Sequence, residues 1–305
     1  MAANPLSPAL IPSEALRNLN QRADAPGWRR TLAHAAFIAV CGSLWLRSDL
    51  PLPVRLIALV LQGAGLAFCF CAMHECGHRT AFAGRRLNDT MAWWAGVLSF
   101  YNADFYRRYH QWHHRYTHQP GLDPELEDPA PSTLPAYLLE LSGVTWWVGK
   151  LRGHTRALLG DFSGCPYIPE EAAAQVTRSV RLQFGLYGLL LLASIPTGNG
   201  LLFWAWLLPL AVGQPLLRFV LLAEHGGCSF SDDGTRNTRT TLTLQPLRWL
   251  MWNMPFHAEH HLYASIPFHA LPEAHRYVAP ALQHLDQGYI NVHRGLQRNL
   301  AALAA

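Results

Sequence analysis

Charged residues are scarce in this sequence. Only 14% of its 305 residues are Asp, Glu, Lys or Arg, whereas 50% are hydrophobic, and an average soluble domain has roughly 25% charged residues. The shortfall predicts a membrane protein. The net charge is only +4, and no basic run carries interleaved aromatic residues. The composition therefore suits contact with anionic lipid and makes no case for a nucleic-acid partner.

Several common motifs are also missing. The six cysteines form no CxxC pair, which argues against a disulfide framework or an iron–sulfur centre, and we expect them to act as small buried hydrophobic groups. No GxGxxG dinucleotide fingerprint occurs. The N-terminal stretch lacks the basic, apolar and small-residue order of a cleaved signal peptide, so we expect no secretory leader.

Long uncharged runs are present instead, in two pairs that are each divided by a Pro- or Gly-containing turn. Each run approaches the roughly 20 residues that cross the hydrocarbon core of a bilayer. Arginines flank both pairs, which predicts that the outer ends of both hairpins face the cytoplasm. The predicted spans are residues 31–48, 54–73, 180–196 and 201–223.

The predicted fold class is therefore all-α and integral to the membrane, with four transmembrane helices in two hairpins and a cytoplasmic helical cap. Residues 1–30 are expected to form an irregular cytoplasmic lead-in, and residues 276–305 a cytoplasmic tail. Residues 31–275 form the predicted membrane domain. Within it, residues 90–103 and 136–149 are too short to cross and contain tryptophan, which favours interfacial helices.

The sixteen histidines are clustered. His257, His260 and His261 have the spacing i, i+3, i+4, which puts three imidazoles on one face of a helix. The same pattern and a shorter i, i+4 pair occur upstream, at His110, His113, His114, His74 and His78. The predicted topology puts all three clusters on the cytoplasmic side, where they can share a metal site. Eight imidazoles exceed the three protein ligands of a catalytic zinc, so two metals fit better, although imidazole also suits Zn, Cu and Ni as well as Fe.

Other residues near these clusters are candidates for supporting roles. His225 ends the last predicted span, where an ionisable group indicates function, and it is a ninth candidate ligand. Asp123, Glu224 and Asn253 are candidates for groups that orient the ligands. Asp123 to Glu125 could equally be a solvated loop. Asn253 is also a plausible N-cap for the third cluster, with Pro255 in the first helical turn.

The remaining histidines are predicted to be less important. His118 has the helical spacing of a ligand relative to His114, but we expect a polar residue at the cytoplasmic surface. The histidines without an i+3 or i+4 partner are expected to be surface residues, namely His269, His275, His284 and His293.

Two functions of other classes remain open from the residues alone. His74-Glu75-Cys-Gly-His78 matches H-E-x-x-H, the signature of a zinc protease in which Glu75 would be the general base. That enzyme would need one metal and no O₂. A non-enzymatic metal or haem carrier would exchange metal without turnover.

The three histidine motifs resemble the three histidine boxes of the integral-membrane fatty-acid desaturase family. The resemblance covers roughly residues 30–275 and includes the order of the boxes, the two hydrophobic hairpins and the stretches 74–82 and 253–267. It implies a di-iron site held by the eight clustered histidines, with His225 in the place of an additional ligand. It also implies that O₂ and two external electrons remove two hydrogens from an unactivated carbon–carbon bond. Some relatives have an Asn one turn before that ligand, where this chain has Leu221.

The function that follows is an O₂-dependent di-iron desaturase of a fatty acyl or similar aliphatic chain, located in a bacterial inner membrane. A hydroxylase or ketolase of the same scaffold, or a desaturase of a small amino-acid-like molecule, is the alternative. No His-Pro-Gly-Gly haem signature is present, so the electrons should come from a separate ferredoxin or similar carrier. A basic inner surface could dock an acidic donor, or could simply set the topology; its arginines are Arg79, Arg85, Arg86, Arg107, Arg108 and Arg115.

Overall fold

A computed structural model describes residues 10–128, 130–198 and 200–300 of the chain. That part is mostly helical. Its helices are α1 (Ser13–Leu19), α2 (Asp24–Leu46), α3 (Leu52–Gly77), α4 (Arg85–Ser99), α5 (Ala103–Tyr116), α6 (Leu134–Ser142), α7 (Val144–Leu159), α8 (Glu170–Ser194), α9 (Leu208–His225), α10 (Gln245–Leu250), α11 (His257–Leu262), α12 (Leu271–Val278) and α13 (Tyr289–Arg298). A π-helical turn, Phe203–Leu207, leads into α9, and short 3₁₀ turns occur at Pro124–Leu126 and Ala279–Ala281.

Helix α3 is the centre of the fold and contacts α2, α4 and α9. Its C-terminal half is an almost continuous run of buried small and apolar residues. It approaches α9 most closely where Gly63 meets Gly213, because a Cβ at Gly213 would lie 1.9 Å from the Gly63 carbonyl oxygen. Small residues at such crossings let two helix backbones come into contact. The glycine pair therefore fixes how the C-terminal ends of α3 and α9 are placed.

Two helical segments are long and apolar enough to cross a membrane. They are Leu52–Gly77, with a mean hydropathy of 2.2, and Phe203–His225, with a mean hydropathy of 1.6. The other two predicted spans coincide with parts of α2 and α8, but these helices begin at Asp24 and Glu170 and include charged residues in their first halves. The described residues thus contain two candidate spans, and the four-span arrangement stays a prediction.

The described parts of the two terminal segments, residues 10–30 and 276–300, contain helices that pack on the rest of the chain. In the expected irregular lead-in, α1 forms, and its Leu19 packs with Ile11 against Leu271 and Val278 of α12. In the expected tail, α13 packs on α9. These segments bury apolar side chains against the cap, which explains why they fold onto it.

The cap also contains a feature that an all-α prediction missed. Two three-residue strands, β1 (Thr240–Leu242) and β2 (Leu285–Gln287), pair in parallel, with Thr240 opposite Leu285. The prediction of a helical protein is right for most of the chain and wrong for this pair.

The turn before α11 also differs from the prediction. Trp252 and Asn253 have φ angles of 53° and 59°, and the N-cap of α11 is Phe256, which makes no side-chain cap bond. The Asn253 side-chain amide instead donates to the Phe268 carbonyl at 2.9 Å. Asn253 is therefore not the N-cap, and Pro255 precedes the helix. The left-handed turn is what directs α11 back over the ends of α3 and α9.

Candidate metal centre

The nine predicted ligand histidines come from the ends of four helices. His74 and His78 lie at the C-terminal end of α3, and His225 is the last residue of α9. The other two clusters lie along α5 and α11. Because α3 and α9 are held together by their glycine contact, their C-terminal ends deliver histidines to one place. Helix α5 and helix α11 add the remaining six.

Five of these imidazoles form a first group, in which one ring nitrogen from each lies within 4.8 Å of all the others. The closest contacts join ring nitrogens to each other: His260 Nε2 lies 3.2 Å from His78 Nε2 and 3.1 Å from His114 Nε2. A neutral imidazole has one N–H and one nitrogen with a free lone pair, so wherever Nδ1 holds the proton the converging Nε2 atom offers a lone pair. Convergent lone pairs of this kind form a donor set for a cation. The group consists of His74, His78, His110, His114 and His260.

A second group lies beside the first. It contains His113, His225 and His261, again with ring nitrogens within 4.8 Å of one another. His257 joins it, since its Nε2 is 3.2 Å from His225 Nε2 and 3.1 Å from His261 Nε2. The groups touch where the rings of His114 and His261 stack with centroids 4.1 Å apart. Two adjacent groups of nitrogens provide places for two cations.

The residues present fit bound metal ions. His74 Nε2 and His113 Nε2 are buried and have no hydrogen-bond partner in the part of the chain that the structure describes. A buried polar atom left unpaired costs about 1–3 kcal/mol, a cost that coordination to a cation would remove. Burial, together with the neighbouring imidazoles, holds the pKa of His110, His114 and His260 well below the ordinary value. These rings are therefore neutral at physiological pH, which is the form that binds metal.

Side chains behind the imidazoles orient several of them. The Nδ1 atoms of His113, His225 and His261 lie 2.9 Å from Asp123 Oδ1, 3.0 Å from the Asn237 carbonyl and 3.1 Å from Thr117 Oγ1. A partner on Nδ1 fixes the tautomer and leaves Nε2 for the metal. Three of the nine rings are thus held with Nε2 directed into the cluster.

Asp123 lies in the position expected of an orienting group. Its side chain is fully buried, and it accepts hydrogen bonds from the backbone N–H groups of His118 at 2.7 Å and Glu125 at 2.9 Å. Burial opposes protonation of His113, but the negative charges of Glu125 and Asp123 outweigh it and raise the pKa of His113. Asp123 is therefore a buried support of the cluster, whereas Glu125 in the same loop is exposed.

Two other acidic groups reach the ligand side of the rings. Glu125 Oε2 lies 3.8 Å from His113 Nε2, and Glu224 Oε2 lies 3.4 Å from His257 Nε2. Glu125 also shares a compact donor group with His110 and His113. Both carboxylates can balance the charge of bound cations. Asn253, the third predicted supporting residue, bonds to Phe268 and not to a histidine of the cluster.

Sequence reasoning missed a buried network around Glu259, within the third cluster. Its carboxylate lies 2.5 Å from His275 Nδ1 and 2.5 Å from Thr240 Oγ1, which ties α11 to α12 and β1. An acid inside a helix that must be buried could have signalled such a role. His275, predicted at the surface, is one of its partners.

Two more histidines differ from the prediction of surface positions. His118 is buried, and its Nδ1 lies 3.0 Å from the Ser229 carbonyl. His293 is also buried, with Nδ1 2.6 Å from the Tyr137 hydroxyl and Nε2 2.6 Å from the Phe219 carbonyl. Both rings connect segments that are distant in the sequence. Neither belongs to the two groups of convergent nitrogens.

Glu75 is not positioned as the general base of a hydrolase. It is buried, and its Oε1 accepts from Thr80 Oγ1 at 2.5 Å and from the Phe268 backbone N–H at 3.0 Å. A carboxylate with these two donors links α3 to the loop that follows α11. The H-E-x-x-H match therefore has a structural explanation for its glutamate.

The fold and this site define a class of protein: a mostly helical chain with two helices apolar and long enough to cross a membrane, and a buried set of imidazoles that could hold metal. A sequence model of the family described as Fatty acid desaturase matches residues 50–292, a range that includes all nine histidines. The chain therefore belongs to the fatty acid desaturase family, and it is an oxidoreductase. The resemblance of its histidine motifs to the boxes of that family is confirmed.

The chain is also similar to the sn-1 oleoyl-lipid 12-desaturase of Picosynechococcus sp. The two are 30% identical over 131 residues, which is 41% of this chain and 37% of the relative. The aligned part therefore spans little more than a third of the relative's length. Together with the family match, this similarity supports a desaturase-like function.

Proposed function

We propose that this protein is an O₂-dependent membrane desaturase that introduces a C=C bond into an aliphatic acyl chain and carries two irons in the histidine cluster. The observation that carries the proposal is the convergence of nine imidazoles in two adjacent groups. A zinc hydrolase needs only three such ligands, and the proposed base of that reaction is engaged elsewhere. Iron is chosen among the metals that imidazole accepts because the family generally uses a di-iron centre.

Two bound irons would supply the oxidising chemistry that removes hydrogen from an unactivated chain, with O₂ and two electrons. The second group, which consists of His113, His225, His257 and His261, would hold one metal. The five histidines of the first group would hold the other metal. The protein's own part is to orient the ligands and exclude water. Phe70, Tyr101 and Tyr106 form a layer of rings under His74 and His110, with the Phe70 and Tyr101 centroids 4.8 Å apart. These rings would line the apolar channel that the proposed reaction needs.

We also infer the arrangement in the membrane. His74 and His78 lie at the C-terminal end of α3 and His225 at that of α9, so both candidate spans have their C-terminal ends at the metal centre. If α2 and α8 also cross, the turns at residues 47–51 and 195–198 lie at the opposite face. The arginines near the cluster favour the cytoplasmic side for the metal centre, in the inner membrane of a bacterium.

The electrons are proposed to come from a separate acidic carrier such as a ferredoxin. Asp89 already pairs with three of the predicted docking arginines, at 2.9 Å from Arg79, 2.6 Å from Arg107 and 3.6 Å from Arg85. The docking surface that we propose is therefore restricted to Arg86, Arg108 and Arg115. Electrostatic steering by these groups predicts a donor reaction that slows as ionic strength rises.

Metal content tests the central proposal. We expect about two irons per chain in detergent-purified protein, measured by mass spectrometry, and a sharp fall in a His260→Ala/His261→Ala variant because each group loses a ligand. His284→Ala is the matched control, since His284 lies outside both groups, and it should retain its iron. One zinc per chain that is insensitive to the double substitution would overturn the di-iron proposal.

Product analysis tests the reaction. With O₂, a reduced donor and an acyl substrate, we expect an alkene that is two mass units lighter than the substrate. An alcohol that is sixteen mass units heavier would show a hydroxylase of the same scaffold, and the desaturase proposal would be wrong. Product formed without O₂ would contradict both.

A further inference from the structure

Two cationic side chains lie close to the metal centre. They are Lys150 on α7 and Arg218 on α9. In the described parts of the chain, neither forms an ion pair within 4.0 Å of a carboxylate, although the charge of Glu125 acts on both, and that of Glu224 on Arg218, from a greater distance. Like charges in a protein interior repel each other and are costly unless an anion accompanies them. Neither glutamate is at contact distance, so the two cations can still accept a closer anion.

Both cations lie against the same two aromatic side chains. Lys150 Nζ is 4.0 Å from the Tyr101 ring centroid and 5.9 Å from that of Trp146. Arg218 Cζ is 5.5 Å from the Trp146 centroid, and its Nη2 donates to the Tyr101 hydroxyl at 2.8 Å. The rings hold the two positive groups side by side, since a cation over an aromatic face is favourable.

The Tyr101 hydroxyl has a proton to offer. Its oxygen accepts from Arg218 Nη2 and also from Trp146 Nε1 at 2.9 Å. Arg218 Nε is buried and has no acceptor among the described residues. Gln214, one turn before Arg218 on the same face of α9, is fully buried, and both polar atoms of its amide are unpartnered there. These are unmatched polar groups in one small region, most of them donors.

The cluster is only one ring away from the metal centre. Tyr101 contacts Phe70 and Tyr106, at centroid distances of 4.8 and 5.9 Å, and Tyr106 in turn stacks on His110 at 5.0 Å. A small molecule with an anionic head at this cluster would therefore extend directly towards the metals. The position of the reaction would be counted from that head group.

We propose that Tyr101, Lys150 and Arg218 form a binding site for the carboxylate of a free aliphatic acid, which would make the substrate an acid and not a lipid ester. A carboxylate has about four lone-pair sites and can accept from a guanidinium, an ammonium and a hydroxyl together. This inference rests on the proposed function for the chemistry, but the head-group site can be tested without turnover.

Binding to the isolated full chain in lipid nanodiscs, without an electron donor, tests the site. We expect laurate to bind at least tenfold more tightly than methyl laurate, because the ester has no charge to match the two cations. In Lys150→Gln we expect laurate affinity to fall about tenfold, because one charged hydrogen bond is lost, and methyl laurate affinity to stay the same. Lys150 is suited to substitution because it forms no ion pair in the described chain.

Arg152→Gln is the matched control, since Arg152 is an exposed cation two residues along α7. It should bind both ligands as the unaltered chain does. Arg218→Lys keeps the charge and tests whether the guanidinium itself is needed; we expect a loss of several-fold with laurate only. Equal affinity for laurate and its ester, or equal losses in Lys150→Gln and Arg152→Gln, would overturn the site.

Three further outcomes are informative, and the last two separate this inference from the proposed function. Dodecyl phosphate binding more tightly than laurate, with the preference lost in Lys150→Gln, would assign the cluster to a phosphate head group and overturn the carboxylate. Iron-dependent desaturation of a lipid ester, without measurable laurate binding, would sustain the proposed function and remove the acid site. Selective laurate binding by a protein that lacks iron would sustain the acid site and overturn the proposed di-iron function.

Discussion

At the scale of single residues, His113 is held through one ring nitrogen and leaves the other free for a metal. Its Nδ1 is 2.9 Å from Asp123, and its Nε2 is unpartnered in the described chain and faces the second group of imidazoles. Asp123 is itself fixed by two backbone N–H groups. The backbone after α5 holds Asp123, and Asp123 holds Nδ1 of His113. The backbone there therefore determines the direction in which His113 Nε2 points.

Substitution of Asp123 by Asn should therefore weaken metal binding. An amide keeps the shape but loses the negative charge that favours the hydrogen bond from His113. We expect a 10- to 100-fold loss of metal affinity, the usual effect of removing such a partner, measured by competition with a chelator. Asp128→Asn is the control, because Asp128 is exposed in the same loop. Equal affinities in the two variants would show that Asp123 does not support the ligand.

Lys150 gives a prediction about pH. Burial, and then the charge of Arg218, lower the pKa of Lys150 to about 7, although Glu125 opposes the shift. The side chain is cationic below that pH and neutral above it. His154 on the same helix, whose pKa is lowered to about 4 by burial, stays neutral over this range.

Laurate affinity should therefore be greatest below pH 7 and should fall as the pH rises through and beyond that value. The fall should be absent in Lys150→Gln, since Arg218 stays charged. Binding measurements between pH 6 and pH 9 check this. The same decline in both proteins would assign the pH dependence to another group.

At the scale of helices, the crossing of α3 and α9 decides where the ligands meet. The carbonyl of Gly63 occupies the space that a side chain at Gly213 would need. The two helices must therefore separate if a methyl group is added. A shift at this crossing is transmitted along rigid helices to His74 and His225.

Gly213→Ala should lower both stability and metal content. Overpacking of this kind costs typically 1–3 kcal/mol, and we expect a lower temperature of thermal unfolding in detergent together with partial loss of iron. Gly185→Ala in α8 is the control, because a Cβ there meets no atom within 4 Å. Normal iron content in Gly213→Ala would show that the centre does not depend on this crossing.

At the scale of the whole molecule, the membrane arrangement is open to a direct test. Asp49 lies in the exposed turn between α2 and α3, and Asp128 lies in the exposed loop after α5. In a chain with Cys165 replaced by Ser, Asp49→Cys should react with an impermeant thiol reagent in intact cells. Asp128→Cys should react only after the cells are opened. Reaction of both from the same side would exclude the proposed hairpin.

Local patterns in the sequence predicted much of the site. A spacing of i, i+3, i+4 fixes which side chains share a helix face, and uncharged runs fix where long apolar helices form, because both depend only on neighbouring residues. The histidines of each cluster share a helix face for that reason, whereas packing of the helices brings the clusters together with His225, Asp123 and Glu224. The N-cap assigned to Asn253 failed since the left-handed turn there is imposed by contacts with Phe268, which no local pattern reveals.

The tertiary structure alone decided the contacts between segments that are far apart in the chain. The partners of Glu75, Glu259 and His293 come from other segments, so their burial could not be inferred from spacing. Packing of α1 on α12 and pairing of the two short strands also depend on apolar and backbone groups that find each other only when the chain is folded. The sequence by itself determined a helical, histidine-rich member of the fatty acid desaturase family. Only the fold brought Lys150 and Arg218 onto the same rings, because α7 and α9 both lie against Tyr101 once the chain is folded.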